Sequence, residues 1–207
     1  MNLSNCRGDE AKNRIVTLYK IKPVVYMRLL AGQKIEGCCG PITDKYYLFE
    51  AENKKTKKCE DFFVGYDCGS QFLQLIGHAP ISLFNPFQAV NKQTGGGGGG
   101  RVNENGMKID PLNRELKNAI HILCSAWGGH APTNSMKNFL GYINDKPERA
   151  TNSFAVTAFN DIVGKDAKNR KLSEIINDLR EKNPTLRDFI FPLMEFVLAK
   201  KNKSSNL

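Results

Sequence analysis

Six consecutive glycines, Gly95 to Gly100, constrain this chain of 207 residues more than any other feature. Glycine has no side chain to bury, and it loses the most backbone freedom on ordering. No hydrophobic core can be built through such a run, so each side must assemble a core from its own apolar residues. The run reads as a flexible linker or long loop, natural or engineered. The expected division is a β-rich part over residues 1–92, a glycine-rich linker over 93–109 and a helical part over 110–207. The corresponding fold class is α+β, with a small cysteine-bearing β-rich N-terminal part and an all-helical C-terminal part. The composition permits both cores, since 41% of residues are hydrophobic and 25% charged, ordinary values for a globular protein.

Before the glycines, Arg14 to Lys22 alternates apolar and polar residues and reads as a strand. Residues 1–13 are polar and read as a frayed end. Pro23 to Gly32 has Pro at a first-turn position and Gly at an end, which predicts a short helix; the β-branched Val24 and Val25 leave a strand open. Lys45 to Glu52 and Asp61 to Val64 read as two strands of an antiparallel hairpin around a charged tip, Asn53 to Lys58. Phe72, Leu73, Leu75 and Ile76 mark a short helix ended by Gly77. After the glycines, Asp110-Pro111 is an N-cap with Pro at the first helical position. Four further helices follow by apolar spacing, over 133–142, 150–163, 172–181 and from a Thr185 cap onward, with Pro192 as a kink and residues 200–207 as a frayed tail.

No stretch approaches the ~20 consecutive apolar residues that span a bilayer, and the first residues lack the apolar core of a signal peptide. The expectation is a cytoplasmic protein that does not engage membranes. Thiols stay reduced there, so the six cysteines read as free thiols, packing residues or metal ligands rather than as disulfides.

Four of those cysteines fall between residues 38 and 68. Cys38 and Cys39 lie in a tight turn, Cys59 follows the hairpin tip, and Cys68 opens a helix. Turn amides and a helix N-terminus both stabilise thiolates, and four thiolates suit tetrahedral zinc. His78 is a reserve ligand. The stretches CCG, YYLFEAENKKTKK and FFVGYDCGSQFL resemble the short zinc-binding β-ribbon or treble-clef modules of bacterial and phage proteins, over residues 34–76. That resemblance implies structural zinc and a nucleic-acid context. The alternative is that the four thiols act as small buried hydrophobes.

The net charge is +9, and it is shared: 13 Lys and Arg against 9 Asp and Glu before the glycines, 17 against 12 after them. A positive field favours polyanions. Lys54, Lys55, Lys57 and Lys58 crowd the hairpin tip near Tyr46, Tyr47, Phe62 and Phe63, which suits phosphate contact with base stacking; a lysine-rich tip also simply keeps a sheet edge soluble. His121 and Cys124 share a helical face, but with apolar neighbours that favour packing over nucleophilic catalysis. His130 reads as a solvated turn residue, and Glu50, Glu52, Asp61 and Asp67 as solvated carboxylates. No complete catalytic constellation emerges. The expectation is therefore a nucleic-acid-binding accessory protein with structural zinc, of bacterial or phage origin. The alternative is a non-catalytic protein-interaction module, an inhibitor or adaptor in a phage or defence setting, with an apolar face around Phe189, Phe191 and Phe196.

Overall fold

The computed structural model describes residues 3, 5–87 and 108–207. The glycine run and the expected linker up to residue 107 lie outside these, while Ile109, expected to belong to the linker, is buried. The mixed α+β class is as expected, with strands in the first part and helices filling the second. The chain forms two compact units: residues 1–84 together with 128–131, and residues 85–127 with 132–207.

The first unit begins with α1 (Asp9–Leu18), which runs directly into β1 (Tyr19–Arg28). Both assignments differ from the sequence reading. Arg14 to Leu18 is helical: Ile15 and Lys12, three apart on one face of α1, are buried, and Val16 and Leu18 pack against the same core. Pro23 to Arg28 is strand because Val24 and Val25 pack into the core and the backbone pairs with β4 (Lys45–Asn53). Pro23 lacks a ladder donor, and the register shifts between Pro23 and Val25, the usual way a sheet accommodates proline. The end expected to fray is instead held: Leu3 and Cys6 are buried.

β4 is central, pairing antiparallel with β1 and with β5 (Cys59–Gly65). It buries Tyr46 to Phe49 and Ala51. Phe49, Phe62 and Phe72 meet with ring centroids 5.4–5.7 Å apart, joining sheet to helix α2 (Tyr66–Leu75). A separate two-stranded ribbon, β2 (Ile35–Gly37) and β3 (Gly40–Ile42), carries Cys38 and Cys39 as its two-residue turn. Gly40 sits at φ 115°, a conformation that closes this turn at no Cβ cost. Past α2, Phe84 adds a short parallel bridge to Met27, so the proline-broken segment packs on β1.

The second unit is helical: α3 (Pro111–Ala126), α4 (Asn134–Asp145), α5 (Ser153–Val163), α6 (Leu172–Lys182) and α7 (Pro192–Lys200). Asp110, Thr133 and Asn152 cap the first three, each side chain accepting from helix-start amides, which satisfies donors that would otherwise be orphaned. α7 departs from expectation. Pro192 starts it rather than kinking it, and its cap comes from α3, where the Glu115 carboxylate accepts from Leu193 N and Met194 N.

The last residues are docked rather than frayed. Asn206 N donates to Asn160 Oδ1 at 2.7 Å, its side chain donates to the Asn160 carbonyl, and Leu172 N donates to the Asn206 carbonyl. Leu207 is buried. Asp166 organises the α5–α6 connection, accepting two guanidinium hydrogen bonds from Arg170 and two backbone N–H bonds, while Arg170 also donates to Asp178 on α6.

The guanidinium of Arg170 holds the Asp166 carboxyl well below the usual carboxylate range. A depressed native pKa stabilises the fold above the unfolded value of about 4, and that contribution disappears as pH falls through the native value. Asp166→Asn should therefore cost about 2 kcal/mol at neutral pH. In urea titrations, its deficit against the native chain should shrink below about pH 4.

Candidate metal centre

The β2–β3 turn is fixed from both sides. Cys38 N donates to the Phe63 carbonyl on β5, and Asn5 N donates to the Cys38 carbonyl. The second bond brings the segment before α1 across the turn, and Cys6 arrives with it. Arg7 then donates to the Cys39 carbonyl at 2.9 Å.

The ligand-capable sulfurs of Cys6, Cys38 and Cys39 all lie within 4.8 Å of one another. Cys6 Sγ is 3.1 Å from Cys39 Sγ, and Cys38 Sγ is 3.6 Å from it. Cys6 and Cys38 are at disulfide distance, with Cα atoms 6.1 Å apart. The expectation of six free thiols is thus corrected for this pair, which the fold brings together across a sequence separation of 32.

Cys68 joins from the first turn of α2, where its thiol interacts with Cys39. Its approach depends on Gly69. A Cβ there would fall inside the buried Tyr47 ring, so only glycine lets this end of α2 close on β4. Burial, then the neighbouring Cys39, push the Cys68 thiol up, while Lys12 opposes the shift. Lys12 is buried at 4% exposure, and its ammonium reaches the Gly8 carbonyl at 3.4 Å. A cation held this close offsets thiolate charge.

Of the residues expected to bind metal, the structure gathers Cys38, Cys39 and Cys68. It does not bring in Cys59, which is exposed at the start of β5 opposite Glu52. Nor does it bring in His78, exposed after α2 with its ring nitrogen against the adjacent Ala79 carbonyl. Cys6 was missed because nothing local marks it; the only hint is its position just before a helix start.

The donor set suits zinc. At a Zn–S distance of about 2.3 Å, tetrahedral geometry sets sulfurs roughly 3.8 Å apart, close to the 3.6 Å between Cys38 and Cys39. Cys6, Cys38 and Cys39 lie close enough to bind a metal. A disulfide and a metal would use the same Cys6 and Cys38 sulfurs, so the two states exclude each other.

The lysines expected to meet nucleic acid divide. Lys54 donates from its backbone to the Leu18 carbonyl and from its ammonium to the Val16 carbonyl, satisfying the C-terminal end of α1 as a lysine can. Lys57 pairs with Glu52. Lys55 and Lys58 are exposed and form no ion pair among the described residues. Tyr46, Tyr47 and Phe62 are buried core residues, so they are not available to stack on bases. Beside this hairpin Tyr66 is exposed, at 54%, and it stands at the opposite end of the β4–β5 hairpin from the lysine tip.

Comparison with protein families matches residues 4–206 to one, described as Uncharacterised conserved protein UCP028583. The chain belongs to this family. Neither the curated proteins nor the solved structures contain a match. No helix among the described residues is long and apolar enough to cross a membrane.

Thiol reactivity should follow this geometry. Cys124 is buried on α3 and its thiol is pushed up to about 12 by burial, whereas Cys59 is exposed. Alkylation of the native protein followed by peptide mass spectrometry should label Cys59 first, and Cys124 only under unfolding conditions. Equal rates at the two sites would contradict the burial described.

Proposed function

We propose that this protein is a nucleic-acid-binding accessory protein whose first unit is organised by a structural zinc ion. One observation carries the metal reading: thiols from the N-terminal segment, the β2–β3 turn and α2 converge at one point, beside a buried lysine. In the reduced protein Cys6, Cys38, Cys39 and Cys68 supply four thiolates. The ion cross-links the N-terminal segment and the ribbon to α2. A three-stranded sheet with two short helices has a small core, and a metal cross-link is a common way to stabilise a unit of that size.

Support for the nucleic-acid reading is the net charge of +9 and the exposed Lys55 and Lys58 at the tip of the β4–β5 hairpin. Asn53 Oδ1 accepts from Lys55 N and Thr56 N, which holds the tip in a defined turn. Two exposed cations on a fixed hairpin tip suit phosphate contact.

A second reading has its own observation. Ile190, Leu193 and Phe196 are 77%, 40% and 56% exposed around α7, an apolar surface of the kind that receives proteins. It differs from the face expected from sequence, since Phe191 is buried and Phe189 lies under the Arg187 guanidinium at 4.8 Å. A nuclease-resistant protein complex recovered from the native host would favour this reading.

Elemental analysis of protein purified under reducing conditions without chelator should find about one zinc per chain. Cys39→Ser and Cys68→Ser should each lower that occupancy, and Cys59→Ser should leave it unchanged; full zinc retention in Cys68→Ser would remove that residue from the set. Reversal of Lys55 and Lys58 to Glu should weaken binding to nucleic acid. It should also flatten the dependence of log affinity on log salt by about 2. Unchanged binding would place the interface elsewhere.

A further inference from the structure

One backbone arrangement in the first unit suits two bonding states of the same sulfurs. Cys6, Cys38 and Cys39 lie within 4.8 Å of one another, close enough to share an ion. Cys6 and Cys38 are also at disulfide distance. Their Cα atoms, 6.1 Å apart, fall within the range that a disulfide bridges without backbone movement. Cys38 and Cys39 are a poor pair by comparison. Adjacent Cα atoms stand about 3.8 Å apart, short of the usual lower limit of about 4.4 Å.

Access to these sulfurs is uneven. Cys38, Cys39 and Cys68 are half-buried, whereas Cys6 is buried at 0% exposure. A small oxidant can reach Cys38 from solvent, with Cys6 behind it as a resolving thiol. One accessible thiol beside one resolving thiol is what reversible oxidation requires. The pair is also held independently of the bonds its sulfurs make. Asn5 N donates to the Cys38 carbonyl, and Arg7 donates to the Cys39 carbonyl. Cys68 is placed separately, through the fit of Gly69 against the Tyr47 ring.

We propose that the cluster is a redox switch that exchanges its zinc ion for the Cys6–Cys38 disulfide, a regulation that rests on the metal reading above. The oxidant is of the peroxide class. The Cys38 thiolate attacks one peroxide oxygen, the O–O bond breaks, and hydroxide leaves Cys38 as a sulfenic acid. The Cys6 thiolate then attacks the Cys38 sulfur. The S–S bond forms, the S–O bond breaks and a second hydroxide leaves. Two protons convert the two hydroxides to water, and the two electrons lost by the thiolates have reduced the peroxide. Cys39 and Cys68, left as a pair, take up protons and let the ion go. The oxidised chain keeps residue 6 tied to the β2–β3 turn, while the Cys68 end of α2 loses its cross-link.

The test uses the full chain, reduced and loaded with zinc. Hydrogen peroxide is added in steps while a chromogenic chelator reports free zinc. Differential alkylation with peptide mass spectrometry locates the thiols lost. About one zinc should be released for each disulfide formed, with Cys6 and Cys38 withdrawn from alkylation. A dithiol reductant with added zinc should restore both. Cys59→Ser should respond as the native chain does. Cys6→Ser lacks the resolving thiol, so peroxide should leave a sulfenic acid at Cys38 that a dimedone probe traps. Zinc that stays bound while other cysteines oxidise, or that leaves with Cys6 and Cys38 still reduced, would overturn the switch and leave the metal reading standing. A reduced chain that holds no zinc would overturn both.

Discussion

Two backbone hydrogen bonds at one residue set the geometry of the first unit. Cys38 is the point where three separate segments meet: its N–H binds β5 and its carbonyl binds Asn5. The second bond, together with the Arg7 bond to the Cys39 carbonyl and the Cys6 sulfur contacts, lays the stretch before α1 over the β2–β3 turn. The buried Leu3 and Cys6 depend on that placement. So does the start of α1, whose far end is in turn closed by Lys54 from the hairpin tip. A short ribbon thereby ties the chain's first residues to the central sheet.

The sulfur cluster follows from that tie and from one close approach. α2 can present Cys68 only because Gly69 fits against the Tyr47 ring. Tyr47 is itself clamped by Tyr26, with ring centroids 4.0 Å apart and planes nearly parallel, so it cannot yield. The aromatic residues that seemed suited to nucleic acid thus serve another end. They form the rigid wall that sets the position of a cysteine. Buried packing of this kind is stiff, which is what a preorganised ligand shell needs.

Local chemistry made much of this fold legible. Asp110-Pro111, Thr133 and the apolar spacing of α5 and α6 act within a few residues, and the corresponding helices stand close to where the sequence placed them. The β4–β5 hairpin was legible for the same reason. The misreadings share a different cause. Pro23 looked like a helix start, yet the strand won because Val24 and Val25 are buried and Val25 pairs with Leu48, far along the chain on β4. Pro192 looked like a kink, yet it starts α7 because Glu115 of α3 supplies the cap. Cys6 gave no signal, since its partners lie 32 and 33 residues on. Cys59 gave a false one, because nearness in sequence to a hairpin carries no information about which side of the strand faces the turn.

A spacing argument over residues 38–68 draws its ligands from one contiguous stretch, as small ribbon modules do. The fold instead recruits Cys6 from outside that stretch and leaves Cys59 in solvent. A cross-link from residue 6 to residue 38 closes a longer loop than any within the ribbon, and it constrains the unfolded chain accordingly. The same loop closure operates whether the sulfurs are joined to one another or to a shared ion. The N-terminal segment is therefore part of the unit's stability in either chemical state, and its polar sequence conceals that role because the Asn5 backbone bond, the Arg7 side-chain bond and the buried Leu3 and Cys6, rather than a helical or strand pattern, hold it in place.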